Sequence, residues 1–427
     1  MKKTIIAASA FLFCNALISQ TAGQKKILFD AAHAETSGNG DWCIDADVQN
    51  LHWGNGYVNT SGNESNPQQY PTPTQTAVTS ATAESYWTGA LSYWAIDCVN
   101  KGYWVEELPY NGALTYGASN TQDLSHYDIL VVDEPNKLFT TSEKTAIMNF
   151  VKNGGSLFMI SDHAGSDRNG DGKDSPQIWN DLMTNNSVQN NAFGFIYEME
   201  NFSDGNGTQT SGGNPNVATS TSDSIMKGPF GTVSRVKWSN GTCMTMNPTQ
   251  NSKVKGHAWK NGKGQTDTAV VCVTSQYGCG KVAAIGDSSP PDDGTGNPAV
   301  ASGLYNGYTG DVGQNHRDWL MNIMIWLAAA PTCVTGINSI TESNELNLYP
   351  NPANDKVQVN FTNDSENNAV LSLVNINGQV INAQQTHQKS NNQDVFVVDT
   401  TPLTAGVYYC KVQVNDKMSI KKLVVIK

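Results

Sequence analysis

The sequence contains few charged residues, and basic residues are the minority among them. Only 15% of the 427 residues are Asp, Glu, Lys or Arg, and 38 acidic residues against 26 basic ones give a net charge of −12. Non-specific binding to nucleic acid depends on basic patches that neutralise phosphates. The charge balance therefore opposes that class of function, unless a bound metal ion reverses the sign locally.

Long apolar runs are missing after the first residues of the chain. A membrane-spanning helix needs about 20 apolar residues, and no later stretch approaches that length, so we expect no membrane span. The first residues, "MKKTIIAASAFLFCNALISQTAG", combine two lysines, a short apolar stretch and small polar residues. That layout is typical of a secretory signal peptide. We therefore predict that residues 1–23 are a signal peptide and that the chain is exported.

Two further absences concern zinc-binding and nucleophile motifs. The sequence has no Cys-x-x-Cys or Cys/His zinc spacing and no Gly-x-Ser-x-Gly elbow, which disfavours structural zinc and nucleophilic acyl transfer. Eight cysteines are present, and export permits disulfides. Cys272 and Cys279 flank a predicted hairpin and could pair across it, and Cys43 with Cys98 is a second possible pair.

Residues 24–332 show strands alternating with helices. Continuous apolar runs predict strands, and apolar residues spaced by three and four predict helices. The strands are expected at 25–30, 103–109, 128–135 and 156–162, followed by a hairpin at 268–288, and the helices at 82–102, 140–155, 175–183 and 315–329. Thr140 with Glu143 forms a capping box, and Ser175 is the expected cap of the third helix. The alternation predicts an α/β domain, a flavodoxin-like, mostly parallel sheet with helices on both faces.

The composition changes again near the C-terminus. After a predicted linker at 333–345, residues 346–427 carry alternating apolar and polar runs separated by turn signals, which predicts a small all-β sandwich. The segments "LYPNP", "NINGQV" and "LTAGVYYCKV", with a basic ending, resemble the C-terminal sorting domain of the Bacteroidetes type IX secretion system. The resemblance implies that this secretion machinery is a partner and that the protein is secreted or attached to the cell surface.

Polar residues follow four of the predicted strands at the point where each strand ends: Asp30, Asp133 with Glu134, Asp162 with His163, and Asp287. In parallel α/β sheets, ligands bind beyond these carboxyl ends. A single Asp there is as often a helix cap or a turn former, but four such strands together favour a functional crevice. Histidines beside carboxylates suit acid/base catalysis or a divalent cation. The catalytic candidates are Asp30, His33, Glu35, Asp162, His163 and Asp287. We expect Asp30 and His33 to share one site with Asp162 and His163.

Two segments predict cation binding. "DRNGDGKD" reproduces the Asp-x-Asn-x-Asp-Gly spacing of a calcium loop, with Asp167, Asn169, Asp171 and Asp174 as ligands. It departs from the EF-hand because Ile178 replaces the bidentate Glu and no helix leads in, so a salt-bridged rim is the alternative. Asp41 and Asp45 are further candidate ligands, or caps of a polar loop. Calcium with a structural role is expected, and a catalytic metal ion of unspecified identity is possible.

Several segments of the core resemble the class I glutamine amidotransferase-like fold, including trehalose-utilisation-type domains. The segments that carry the resemblance are "FVKNGGSLFMISDH" and "GKVAAIGDSS", together with the strand order. The Cys-His-Glu triad of the amidotransferases is missing, so glutamine hydrolysis does not follow from the resemblance.

Three functions remain open at this point. The first is a secreted, metal-assisted hydrolase of an extracellular polymer, with a glycan favoured because of the acidic balance and of aromatic segments that we expect to be exposed, "NLHWGNGYVN" and "HAWKNGKG". The second is a secreted nuclease or phosphodiesterase, in which metal ions would clamp phosphate oxygens. The third is a calcium-stabilised carbohydrate-binding module without catalysis. In each case we expect a monomer.

Overall fold

The computed structural model describes most of the chain between residues 23 and 427. The described ranges are 23–34, 36–37, 40–45, 75–87, 89–109, 112–167, 169–202, 213–295, 305–310, 315–329, 346–363, 369–375, 380–381, 383–390, 392–414 and 417–427. The predicted linker and all but Gly23 of the predicted signal peptide lie outside them. The chain divides after Cys333 into two compact units. No helix in the described ranges is long and apolar enough to cross a membrane.

The first unit contains the predicted alternation of strands and helices. Its strands are β1 (Lys26–Asp30), β2 (Thr36–Ser37), β3 (Gly40–Asp41), β4 (Trp104–Leu108), β5 (Ile129–Asp133), β6 (Ser156–Ile160), β7 (Phe195–Phe202), β8 (Gly241–Met246), β9 (Lys255–Trp259), β10 (Val270–Tyr277) and β11 (Gly280–Ile285). Its helices are α1 (Ser92–Asn100), α2 (Thr141–Lys152), α3 (Ser175–Thr184) and α4 (His316–Ala328). Two short 3₁₀ turns lie at Glu84–Tyr86 and Leu124–His126.

Local capping chemistry explains where two of the helices begin. Thr140 caps α2 and forms the predicted capping box with Glu143. The predicted cap of α3 was wrong by one residue: Asp174 caps it, in a capping box with Gln177, and Ser175 is the first helical residue. A carboxylate one residue upstream accepts the Gln177 N–H, so Asp174 does what was expected of the serine hydroxyl.

Nine strands of the first unit form one mixed sheet, counted over the described residues. Its order is β4-β1-β5-β6-β11-β10-β8-β7, and β9 pairs with β10. The strands from β4 to β11 are parallel, whereas β10, β8, β7 and β9 pair in antiparallel fashion. The α/β class is confirmed, and the antiparallel part is as extensive as the parallel part. Residues of β5, β6 and β11 are buried throughout, as expected for strands covered on both faces.

Each face of the sheet packs against its own pair of helices. Successive side chains of a strand point to opposite faces. Val131, Ile160 and Ile285 pack in the core cluster that contains residues of α1 and α4. Their neighbours in the sequence, such as Met159 and Ala284, pack in the cluster that contains residues of α2 and α3. At the edge where the parallel strands end, strand residues therefore contribute side chains either to the α1/α4 face or to the α2/α3 face.

The second unit is all β. Its strands are β12 (Leu346–Tyr349), β13 (Lys356–Thr362), β14 (Val370–Asn375), β15 (Val380–Ile381), β16 (Gln385–Ser390), β17 (Gln393–Asp399), β18 (Gly406–Val414) and β19 (Lys417–Val425). They form two antiparallel sheets, in the orders β12-β13-β17-β16 and β15-β14-β18-β19. Residues from both sheets share one apolar core. The predicted small β-sandwich is confirmed.

The two predicted disulfides are not formed. Cys272 is a buried free thiol on β10, opposite Ile285, whereas Cys279 lies in the turn at the other end of that strand. A strand from 272 to 277 spans roughly 17 Å, far beyond the about 7 Å between Cα atoms that a disulfide allows. Cys279 is disulfide-bonded, and Cys272 is not its partner. Cys98 is a buried free thiol, which also rules out the pair with Cys43.

Candidate functional site

The acidic residues at the parallel strand ends divide between the two faces of the sheet. Asp133 pairs with Ile160, which pairs with Ile285, while Asp162 and Asp287 each lie two residues beyond these paired positions on neighbouring strands. Neighbouring strands are about 4.8 Å apart. Strand alternation assigns Asp133 to the α1/α4 face, together with Ile160 and Ile285, the last residues of β6 and β11. By the same alternation Asp30 belongs to the α2/α3 face, and Glu143, which contacts the Asp30 partner His33, comes from α2.

Asp30, His33 and Glu143 form a buried group on the α2/α3 face. The His33 ring places Nδ1 2.8 Å from Asp30 Oδ2 and Nε2 3.4 Å from Glu143 Oε1. Asp30 Oδ1 also accepts the Ala32 and His33 backbone N–H groups, at 2.8 and 3.1 Å. The ring packs against Phe139, with ring centroids 4.8 Å apart. The group therefore ties the loop after β1 to the start of α2.

The charge state of His33 follows from its two carboxylate neighbours. Burial pulls its pKa down, but Asp30 and Glu143 outweigh burial and raise the pKa to about 9. Burial acts to raise the pKa of Glu143, but its contacts with His33 and Thr140 lower that pKa to about 2. His33 is thus a cation at neutral pH, whereas metal binding and general-base catalysis both need the neutral ring. Sequence reasoning recognised Glu143 only as a cap, because a capping box is local and its contact with His33 is not.

Asp162 and His163 form the second histidine pair, at the end of β6. His163 Nδ1 lies 2.6 Å from Asp162 Oδ2, and 22% of the His163 side chain is exposed, against 4% for His33. The Ser166 hydroxyl donates to the His163 carbonyl at 2.9 Å, and Asn201 Oδ1 accepts the Ala164 N–H at 2.6 Å. A carboxylate that orients an accessible imidazole is a common arrangement for a general base. That this pair shares a site with Asp30 and His33 stays a prediction, since β5 separates the two strands.

A group of buried carboxyls lies at the ends of β5 and β11. Within the described part of the chain, both carboxyl oxygens of Asp133 lack a hydrogen-bond partner, and the residue is 1% exposed. Next to it, Glu134 Oε1 also lacks a partner, while Glu134 Oε2 accepts the Ser288 hydroxyl at 2.6 Å. Glu134 has a φ of 42°, in the left-handed region that non-glycine residues rarely adopt. Only Asp287 of this group was among the predicted site residues.

Burial and repulsion between neighbouring carboxyls raise the pKa values of Asp133, Asp287 and Asp292. For Asp133, burial comes first and the charges of Glu134, Asp292 and Asp287 follow, and together they hold its pKa well above the usual range. Burial raises the pKa of Asp287 to about 7, against the effect of hydrogen bonds from the backbone N–H groups of Ser289 and Ser239. The pKa of Asp292 is likewise raised by burial. We name Asp133, Glu134, Asp287 and Asp292 the carboxyl cluster.

The segment with calcium-loop spacing is closed by its own backbone. Asp167 accepts the N–H groups of Gly170 and Gly172, each at 2.8 Å, and Asn169 Oδ1 accepts the Asp171 N–H at 2.9 Å. In the same way Asp171 Oδ1 accepts the Lys173 N–H at 2.8 Å. These contacts hold the turn in shape, and calcium binding by the loop stays a prediction.

The remaining predicted ligands have local partners or lie outside the described residues. Asp174 accepts the Gly165 and Gln177 N–H groups, at 2.7 and 3.2 Å, and so has a structural role. Asp45 is buried, and its N–H donates to Glu107 of β4 at 3.3 Å. Glu35 and the side chain of Asp41 lie outside the described part of the chain. Within the described part, no three His, Cys, Asp or Glu side chains are arranged to hold a metal ion.

The aromatic residues of the segment at 257–264 are buried, whereas the sequence predicts that they are exposed. Trp259 is buried, and its indole N–H donates to the Thr266 carbonyl at 2.7 Å. His257 is also buried, between Asp223 at 2.9 Å and the Thr274 hydroxyl at 2.7 Å. Neither ring can stack on a sugar from these positions, so the segment gives no support to glycan binding.

Comparison with known proteins identifies the C-terminal unit. Residues 347–427 match the family model of the secretion system C-terminal sorting domain. The protein is therefore secreted or attached to the cell surface by way of the type IX system. No curated protein matches the chain. Among solved structures, the chain is similar to an mmIFT52 N-terminal domain at 10% identity and a TM-score of 0.38, covering 59% of this chain and 95% of that one. A likeness at that level carries no argument about fold or function.

Proposed function

We propose that the first unit is a hydrolase of an extracellular polymer. The observation that carries the proposal is the position of the Asp162–His163 pair: the His163 side chain is partly exposed, and the pair lies one strand from Asp287, whose pKa is raised to about 7. A general base and a group that can stay protonated near neutral pH are the two components that acid/base hydrolysis needs. Export through the sorting domain delivers such an enzyme to polymers outside the cell.

Each group has a distinct role in this proposal. Asp162 fixes the ring of His163, and His163 removes a proton from the attacking water. Asp287 and the rest of the carboxyl cluster form the acidic centre beside it, either as proton donors or as ligands of an assisting cation. The triad of Asp30, His33 and Glu143 supports the loop after β1, so His33 is a structural residue rather than the second catalytic base.

A glycan is the first substrate class because a net charge of −12 opposes the binding of polyanions such as nucleic acids. The resemblance to amidotransferase-like domains remains a proposal about ancestry and adds no chemistry, since the triad of those enzymes is absent. Calcium in the loop at 167–174 remains a proposal as well, with a structural role.

The proposal is tested by replacing His163 in the exported full-length protein. His163→Ala should lower turnover of the polymer that the wild-type protein cleaves by about a hundredfold or more, the usual scale for a lost acid/base group. His126→Ala is the matched control, because His126 is exposed and, among the described contacts, its ring bonds only to the Thr121 carbonyl. Substrates should include neutral and acidic glycans and single- and double-stranded nucleic acids.

Three outcomes separate the candidate functions. Turnover of a glycan that His163→Ala abolishes supports the proposal, and turnover of nucleic acid alone would favour a phosphodiesterase. Binding of a glycan without turnover would favour a carbohydrate-binding module. Full activity of His163→Ala with unchanged melting temperature would remove this residue from the mechanism.

A further inference from the structure

The carboxyl cluster contains buried polar atoms that have no hydrogen-bond partner among the described residues. Buried polar groups nearly always have hydrogen-bond partners, and an exception calls for an explanation such as an ion. Asp133 is 1% exposed with neither oxygen bonded, and Glu134 is 2% exposed with Oε1 not bonded. Three buried carboxyl oxygens from adjacent residues thus lack donors.

Protonation alone does not remove this cost. A proton on Asp133 would neutralise its charge, but its hydroxyl would then need an acceptor and its carbonyl oxygen a donor. Leaving such groups unbonded in the interior costs about 1–3 kcal/mol each. A cation, by contrast, satisfies several carboxyl oxygens at once and cancels the repulsion that Glu134, Asp292 and Asp287 exert on Asp133.

The ligand atoms that the cluster offers define the kind of cation. The side chains that we assign to the cluster, its four carboxyls and the Ser288 hydroxyl bonded to Glu134 at 2.6 Å, offer oxygen atoms only. Oxygen-only sites select hard cations, whereas zinc and copper prefer nitrogen and sulfur ligands. Calcium tolerates irregular arrangements of six to eight oxygens better than magnesium does. The irregular turn at Glu134 and the loop at 286–295 would supply such an arrangement.

We propose that Asp133, Glu134, Asp287 and Asp292 bind one hard divalent cation, calcium in preference to magnesium, at the carboxyl ends of β5 and β11. The site is distinct from the calcium loop predicted at 167–174. It deepens the proposed function, because it assigns an assisting cation to the same edge of the sheet, but ion binding can be measured whether or not the protein is a hydrolase.

Binding requires a small rearrangement. Within the described residues no three acidic, histidine or cysteine side chains stand at ligation geometry, so the carboxyls must turn towards one another. Asp133 and Glu134 make this possible, since three of their four carboxyl oxygens have no hydrogen bond to break. Asp287 and Asp292 each already accept two backbone N–H groups, and therefore hold the rest of the site in place.

The test measures calcium directly in the full-length protein by equilibrium dialysis and by melting temperature with and without EDTA. All variants carry Asp171→Ala, which removes a carboxylate ligand from the middle of the loop predicted at 167–174. In that background the protein should still bind one calcium ion, and calcium should raise its melting temperature. Adding Asp133→Asn should weaken calcium binding at least tenfold and abolish the shift. If that variant does not fold, Glu134→Gln replaces it.

Several results are decisive. Equal calcium binding with and without Asp133→Asn, or with and without Glu134→Gln, would overturn the proposal, as would the loss of all binding in the Asp171→Ala background. Preference for magnesium over calcium would overturn the assignment of the ion. His163→Ala should keep full calcium binding. If the wild-type protein binds calcium but hydrolyses none of the polymers tested, that result refutes the proposed function and not the cation site.

Discussion

The charged state of His33 predicts how the stability of the first unit depends on pH. The folded-state pKa of about 9 lies above the ordinary value of 6.5. The His33 contacts therefore stabilise the fold fully below about pH 6.5, and this contribution is lost as the pH rises through about 9. At 1.36 kcal/mol per pKa unit, the loss amounts to about 3 kcal/mol. The lowered pKa of Glu143 reflects the same contact in part, so the two shifts are not summed.

The perturbation is His33→Gln, which preserves much of the volume and removes the titrating group. Wild type should lose about 3 kcal/mol more stability than this variant between pH 6 and pH 10. The carboxyl cluster also titrates near neutrality, because the pKa of Asp287 is raised to about 7. The difference between the wild-type and variant profiles cancels that contribution and isolates His33. His126→Gln is the matched control and should follow the wild-type profile.

The assay is urea unfolding followed by tryptophan fluorescence at a series of pH values. All ten tryptophans precede residue 334, so the signal reports on the first unit without interference from the sorting domain. Parallel profiles for wild type and His33→Gln would refute the reasoning, because they would mean that His33 is not charged in the folded protein. A profile in which wild type gains stability relative to the variant above pH 7 would refute the sign.

Two further predictions concern structural contacts. Asp174→Ala should lower the stability of the first unit by about 1 kcal/mol through loss of the α3 cap, whereas Asp174→Asn should retain most of it, as urea unfolding can check; equal losses would argue against capping. Arg317 donates two hydrogen bonds of 2.7 Å to the Asp97 carboxylate. Arg317→Ala would leave this buried carboxylate with the Tyr308 hydroxyl as its remaining side-chain partner, and should therefore lower the free energy of unfolding by about 2–3 kcal/mol. Arg317→Lys should recover part of that loss, and a neutral effect of Arg317→Ala by the same measurement would contradict this account.

The elements of the fold were predictable where the signals are local. Buried strands such as β5 and β6 are continuous apolar runs, and α2 is bounded by its own capping box. Alternating runs and turn residues likewise predicted the C-terminal sandwich. The ends of the elements were predicted less accurately. The helix expected at 82–102 forms only over Ser92–Asn100, after a 3₁₀ turn at Glu84–Tyr86.

The disulfides and the exposure of Trp259 were mispredicted for a common reason. Both depend on where a residue lies along a strand and on what covers it. Cys272 and Cys279 are close in sequence but lie at opposite ends of β10, and Trp259 lies on β9 beneath the loop that carries Thr266. Sequence distance does not give either relation, because a strand separates its ends by about 3.4 Å per residue.

The sequence by itself determined that the chain is exported, that it has an α/β unit followed by a β-sandwich, and that acidic residues follow the parallel strands. These features depend on periodicity, turn residues and short motifs, which act over a few residues. Only the tertiary structure decided which carboxyls meet. The order of β1, β5, β6 and β11 puts the buried Asp133 near Asp287, and the packing of α2 puts Glu143 against His33. Charge states follow from burial and from neighbours distant in sequence, and for that reason the chemistry of the site depends on the fold.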